Sequence, residues 1–198
     1  MRTTLALLAL VMTPALGAAQ SVGELQKMFE AGRYQQVIEA APPDGVPGAV
    51  YLAAQSQQKL GADAQAAGLY GQLAGRDASD PWRFIGESGR LLIEGNIDAA
   101  ADAAQRAVAM GGDLPEAHFQ LGLVLARRES WPMAAAEFDA AAMLNPSNAY
   151  AHYYGGLMHY RANRPDRMAI HFEQFLKLAP DAPERPEVTQ IMRTVRGR

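Results

Sequence analysis

The chain has 198 residues, of which 18 are Lys or Arg and 21 are Asp or Glu, so its formal net charge at pH 7 is −3. This weakly acidic, mixed-sign composition lacks the basic footprint of nucleic-acid-binding proteins, and we expect no nucleic-acid partner. The sequence has no cysteine, which excludes both a disulfide framework and thiol catalysis.

The first 19 residues have the pattern of a secretory signal peptide. Arg2 provides a positive start, residues 5–12 form an apolar run, and a proline and small residues follow before Gln20. The apolar run is short for a transmembrane helix. We therefore predict cleavage before Gln20 and a periplasmic or secreted protein with no membrane span after signal removal. An uncleaved anchor is the alternative.

Residues 20–46 predict a shortened helix pair followed by a linker. Leu25, Met28 and Phe29 share one helix face, Gly32 marks a turn, and a second apolar set follows it. The turn-rich stretch 42–45 then ends the segment.

A pattern with a period of 34 residues occupies positions 47–182. We call a set of equivalent positions in successive units a column. The turn column holds Gly61, Gly95, Glu129 and Asn163, and five residues later a column of mostly small residues holds Ala66, Ala100, Ala134 and Met168. Self-similarity at this period indicates stacked helix pairs. The predicted units are 47–80, 81–114, 115–148 and 149–182.

The turn column carries a prediction about backbone conformation. Glycine and asparagine tolerate the left-handed conformation that ends many helices. Glu129 does not, and we expect Ser130 to cap the following helix instead.

The third unit shows the pattern in its fullest form, with His118, Leu121-Gly122, Leu125, Ala134, Phe138 and Pro146. With these residues the chain resembles the tetratricopeptide repeat (TPR) family, of the exported bacterial type. The resemblance implies an all-α fold, a right-handed superhelical array of antiparallel helix pairs (a TPR-type α-solenoid). In such an array the first helix of each unit lines the concave face. Residues 20–46 then form a degenerate first pair, and residues 183–198 form a C-terminal capping helix.

The sequence shows no catalytic motif. Four histidines, at 118, 152, 159 and 171, are the obvious candidates for a metal site. No cysteine or carboxylate falls at ligand spacing beside them, so we interpret them as half-buried replacements for aromatic side chains. We predict no enzyme activity, no cofactor and no metal.

The predicted concave face carries one large apolar residue per unit, in the column Tyr51, Ile85, Phe119 and Tyr153. Apolar and cationic residues flank this column, namely Trp82, Leu123, Arg127, Tyr150, Leu157, Tyr160 and Arg161, with Lys59 adding a further positive charge. An exposed apolar stripe with a polar rim usually marks an interaction site. One groove type of the family clamps the terminal carboxylate of a peptide with Lys and Asn side chains. Apolar residues occupy those positions here, so the sequence does not support such a clamp.

These features predict a non-catalytic protein interaction scaffold of the bacterial cell envelope that binds a partner peptide or helix in an apolar groove. The alternative is a self-assembling structural subunit, a homo-oligomer joined through Leu25, Met28 and Phe29 at the open end of the stack. An enzyme without a recognisable motif is a third and weaker hypothesis.

Overall fold

Eleven α-helices make up the part of the chain that the computed structural model describes, residues 20–42 and 44–196. The predicted signal peptide lies outside these residues. The helices are α1 (Val22–Glu30), α2 (Tyr34–Ala40), α3 (Pro47–Lys59), α4 (Asp63–Ala74), α5 (Pro81–Ile93), α6 (Ile97–Met110), α7 (Pro115–Arg127), α8 (Trp131–Leu144), α9 (Ala149–Arg161), α10 (Pro165–Leu178) and α11 (Arg185–Arg196). No strand occurs in the described ranges, and none of their helices is long and apolar enough to cross a membrane.

Consecutive helices from α2 to α10 pack against one another, so the predicted all-α array of helix pairs is confirmed. Three of the four first helices begin with a proline, at Pro47, Pro81 and Pro115. Proline suits the first helical position, where its missing N–H would have no partner. In the fourth unit Asn148 caps α9 instead, by accepting hydrogen bonds from two backbone N–H groups.

The turn between the two helices of each unit is left-handed. Gly61 and Gly95 have φ of 75° and 80°, and Asn163 has φ of 56°. Glu129 also has φ of 58°, while Ser130 makes no capping hydrogen bond. The prediction for this turn was wrong: the packing of α7 against α8 imposes the same turn on every unit, whatever the side chain.

Close approach of the two helices in a unit depends on glycine. A Cβ atom on Gly122 would lie 2.9 Å from the ring of Phe138, and one on Gly156 would lie 2.4 Å from the ring of Phe172. Both rings are fully buried. The first helix of each of these units is therefore held directly against an aromatic ring of the second.

The first and last described helices are both tied to the fourth unit. The Phe29 ring of α1 lies 4.9 Å from that of Tyr150 in α9, and Glu30 accepts a 2.8 Å hydrogen bond from the backbone N–H of Ala149. Just before α11, Glu184 accepts hydrogen bonds from the Tyr150 hydroxyl and from Lys59. Because Glu184 can only accept, the Tyr150 hydroxyl donates to it and receives the hydrogen bond from Tyr34.

Candidate functional site

A cavity of about 470 Å³ opens on the inner side of the array. Residues of all four first helices line it, and Tyr70 of α4 and Trp131 of α8 complete it. We call this space the concave cavity. It lies toward the C-terminal ends of the first helices, because the lining begins at Gln55, Gly89, Phe119 and Tyr154 of the respective helices.

Two columns of the repeat account for much of the lining. The first, Gln55, Gly89, Leu123 and Leu157, keeps the spacing of 34 residues through all four units. The second lies one helical turn further on and supplies Lys59, Arg127 and Arg161. Residues four apart lie above one another on one helix face, so α3, α7 and α9 each direct an inner residue and a rim residue to the same space, whereas α5 supplies only Gly89 from these columns.

The cavity wall is aromatic and aliphatic. The rings of Phe119 and Tyr154 lie 5.7 Å apart, and each packs against Phe138, at 5.3 and 5.4 Å. A buried hydrogen-bond chain joins the helices beneath them: the Tyr51 hydroxyl donates to Gln120, and the Gln120 amide donates to Ser88. This chain joins α3, α7 and α5, so the wall is tied across three units.

All charged side chains that line the cavity are positively charged. The lining contains three cationic side chains and no carboxylate. Lys59 forms an ion pair with Glu184 at 2.8 Å. Burial lowers the pKa of Lys59, but interactions with Tyr154 and Glu184 outweigh burial, and the pKa is raised overall. Arg161 lies over the Trp131 ring at 5.3 Å. Arg127 is exposed and forms no ion pair with any described residue, so its charge is available to a ligand.

Five of the eleven predicted binding residues line the concave cavity: Phe119, Leu123, Arg127, Leu157 and Arg161. Except for Phe119, their convergence follows from the two columns just described. Phe119 is only 4% exposed and presents little of its ring to the space.

Four of the predicted residues are buried, contrary to the prediction that they are exposed: three members of the apolar column and the flanking residue Tyr150. Tyr51, Ile85, Tyr150 and Tyr153 are 3%, 0%, 1% and 7% exposed. The covering segments come from the first and last described helices and from neighbouring units. Phe29 and Glu184 cover Tyr150, and the Tyr153 hydroxyl donates to Glu187 of α11 at 3.0 Å.

The remaining two predicted residues lie outside the lining. The half-buried Trp82 ring packs against Tyr51 at 5.9 Å, and Tyr160 is 40% exposed but does not face the cavity. The surface that motivated the self-assembly hypothesis is largely covered, since Leu25 and Phe29 are 0% and 3% exposed, and Met28 is half-buried. Leu25 and Phe29 belong to the core that α1 forms with the rest of the array.

Sequence reasoning missed several lining residues, among them Gln55, Gln58, Trp131, Tyr154 and Met158. The signal that could have found Tyr154 is its position, three residues before Leu157 and seven before Arg161 on the same helix face. No such pattern distinguishes Tyr154 from Tyr153 before the position of α11 is known.

No protein-family model matches the chain, and no curated protein matches it. Solved structures do match. TTC0263, a thermophilic TPR protein of Thermus thermophilus, is 18% identical, with 87% of this chain and 95% of that one covered and a TM-score of 0.62. The first TPR of Spaghetti (RPAP3), bound to the HSP90 peptide SRMEEVD, is 17% identical over 61% of this chain and 94% of that one, with a TM-score of 0.55.

A third match is YrrB, described as a TPR protein with an unusual peptide-binding site. It is 20% identical, covers 85% of this chain and 88% of its own, and has a TM-score of 0.54. At this level of identity the matches concern architecture. The chain has the tetratricopeptide repeat fold, as its sequence pattern predicts.

Proposed function

We propose that this protein is a non-catalytic interaction scaffold that captures a bulky apolar side chain of a partner peptide in the concave cavity, with an acidic group of that peptide held at the rim. The observation that carries the proposal is the lining itself, which combines Leu123, Tyr154 and Leu157 with Arg127 and Arg161 and contains no carboxylate; the third cation, Lys59, is already paired with Glu184. Two of the structurally similar TPR proteins are described as peptide-binding, which agrees with this use of the fold.

The size of the cavity favours a side chain over a whole helix. Small-ligand sites have volumes of about 300 to 1,000 Å³, and 470 Å³ lies in the lower part of that range. Burial of one large apolar side chain contributes about 1.5 to 3 kcal/mol before the costs of ordering the peptide are subtracted. The cationic rim adds selectivity for charge more than affinity.

The charge preference can be tested with three labelled peptides that share one bulky apolar core and differ only in flanking residues, which are Glu, Ser or Lys. In fluorescence anisotropy titrations we expect the Glu-flanked peptide to bind most tightly and the Lys-flanked peptide least. Replacing the two rim arginines, Arg127→Glu and Arg161→Glu, should reverse this order.

The apolar contact has its own variant and matched control. Leu157→Ser should weaken binding of all three peptides by about tenfold, since loss of about 1.4 kcal/mol corresponds to that factor. Ile170→Ser is the control, because Ile170 is 57% exposed on α10 and does not line the cavity. Equal affinity for the three peptides, or equal loss in the Leu157 and Ile170 variants, would contradict the proposal.

We further propose that the partner belongs to the cell envelope. This part rests on the predicted signal peptide in residues 1–19. Expression of the full chain in a bacterium, followed by fractionation and N-terminal sequencing, should find a periplasmic protein that begins at Gln20. An unprocessed chain in the cytoplasm would refute the localisation while leaving the cavity proposal intact.

A further inference from the structure

Three side chains from three consecutive helices converge between the third and fourth units. Asp139 comes from α8, His159 from α9 and His171 from α10, and one potential ligand atom of each lies within 4.8 Å of the other two. The Nε2 atom of His159 is 3.0 Å from Asp139 Oδ1, and that of His171 is 2.8 Å from the same oxygen. Both imidazoles are buried, whereas Asp139 keeps 30% of its side chain exposed.

The hydrogen bonding within this cluster is incomplete. Both Nε2 atoms donate to the carboxylate, and the Nδ1 atoms of His159 and His171 are buried without a hydrogen-bond partner. The ring of His152, 5.4 Å from that of His171, donates from Nε2 to the Pro146 carbonyl and leaves a third buried Nδ1 without a partner. Most buried polar atoms in proteins have partners, so this cluster is not a fully satisfied hydrogen-bond network.

The geometry points to a binding site for a divalent transition-metal ion of the zinc class, formed by Asp139, His159 and His171. Two imidazoles and one carboxylate are a donor set that such ions accept, with water filling the remaining positions. Ligands about 2.1 Å from a tetrahedral zinc ion lie about 3.4 Å apart. The two hydrogen-bonded distances, 3.0 and 2.8 Å, are shorter than that value, and all three ligand atoms lie within 4.8 Å of one another, so the side chains would have to shift by a few tenths of an ångström or more to hold the ion. The exposed side of Asp139 gives access to solvent.

Binding would link α8, α9 and α10, and hence the third and fourth units. An ion that binds only the folded chain stabilises it. Coordination through Nε2 transfers each ring proton to Nδ1, where neither ring has a protein acceptor. Metal-binding histidines normally have such an acceptor, so we expect micromolar rather than nanomolar affinity.

The probe is ZnCl₂, titrated calorimetrically into the metal-free mature protein. We expect one saturable site per chain, and a rise in Tm of about 5 to 10 °C at a hundredfold excess of zinc over the dissociation constant. Asp139→Asn and His171→Gln should each weaken zinc binding more than tenfold. His118→Gln is the matched control, because His118 pairs with Glu137 at 2.7 Å in a histidine–carboxylate pair of the preceding helices.

A second measurement needs no variant. Co²⁺ in place of Zn²⁺ should give a visible absorption spectrum characteristic of tetrahedral or five-coordinate nitrogen and oxygen ligation, which EDTA abolishes. Absence of a saturable site in the parent protein, or zinc affinity in His171→Gln equal to that in His118→Gln, would overturn the proposal.

Discussion

Replacing Gly156 with alanine tests how closely α9 and α10 are packed. The added Cβ would lie 2.4 Å from Cδ1 and 2.5 Å from Cε1 of Phe172, far inside van der Waals contact. The Phe172 ring is 0% exposed and cannot swing into solvent, so the two helices would have to separate. Such overpacking costs about 1 to 3 kcal/mol.

Helix propensity acts in the opposite direction. Alanine favours a helix interior over glycine by about 1 kcal/mol. A 2.4 Å contact with a ring that cannot move belongs to the upper part of the overpacking range, about 2 to 3 kcal/mol, so the net destabilisation of Gly156→Ala should be about 1 to 2 kcal/mol. For a chain of this size that corresponds to a Tm lower by about 2 to 8 °C.

Gly68→Ala is the matched control. Gly68 lies inside α4, is exposed, and has nothing within 4 Å of the position where a Cβ would be added. This variant should gain about 0.4 to 1 kcal/mol. Both variants would be followed by circular dichroism during thermal and urea denaturation. A Gly156→Ala protein that melts at or above the parent temperature would refute the close packing inferred for this helix pair.

Three further predictions concern single positions. Glu129→Gly should raise the free energy of unfolding by about 1 kcal/mol, because glycine removes the cost of a left-handed residue; an unchanged urea midpoint would contradict the φ of 58°. Ala134→Leu should lower it by about 1 to 3 kcal/mol through overpacking, since Ala134 is 0% exposed; a parent-like melting curve would place this residue outside the core. Burial raises the pKa of Glu30 by more than the hydrogen bonds from Gln26 and Ala149 lower it. The Glu30 carboxyl therefore holds its proton more tightly in the folded chain than in the unfolded chain. The resulting stability is present below the ordinary Glu pKa of about 4.3 and is lost as the pH rises through the folded pKa. Glu30→Gln should therefore gain stability relative to the parent as the pH rises above about 4.3, and a difference independent of pH would exclude this effect.

The local features of the fold could be predicted from sequence because each depends on residues close together in the chain. A turn residue such as Gly95 tolerates a positive φ because of its own chemistry, and the stripes of small and aromatic residues follow from 3.6 residues per turn. Glu129 shows the limit of this reasoning. Its own preference is against the left-handed region, and the packing of α7 and α8 overrides it.

The candidate site depended on contacts between distant residues. The repeat period placed Leu123, Leu157, Arg127 and Arg161 on the inner side, and these four line the concave cavity. It placed Tyr153 there by the same rule, but α11 covers that residue through Glu187. Periodicity indicates which face of a helix points inward, but it does not show which part of that face another segment will cover.

By itself, the sequence therefore determined the all-helical repeat, its register and the columns that face inward, because these follow from helix geometry and turn chemistry within one unit. Only the tertiary structure decided which inner residues remain accessible. The contact of Glu30 with Ala149 joins residues 119 positions apart, and the cluster of Asp139, His159 and His171 joins three helices. Both depend on how successive units stack. The stacking geometry results from many small packing contacts between units, and a sequence pattern within one unit does not predict it.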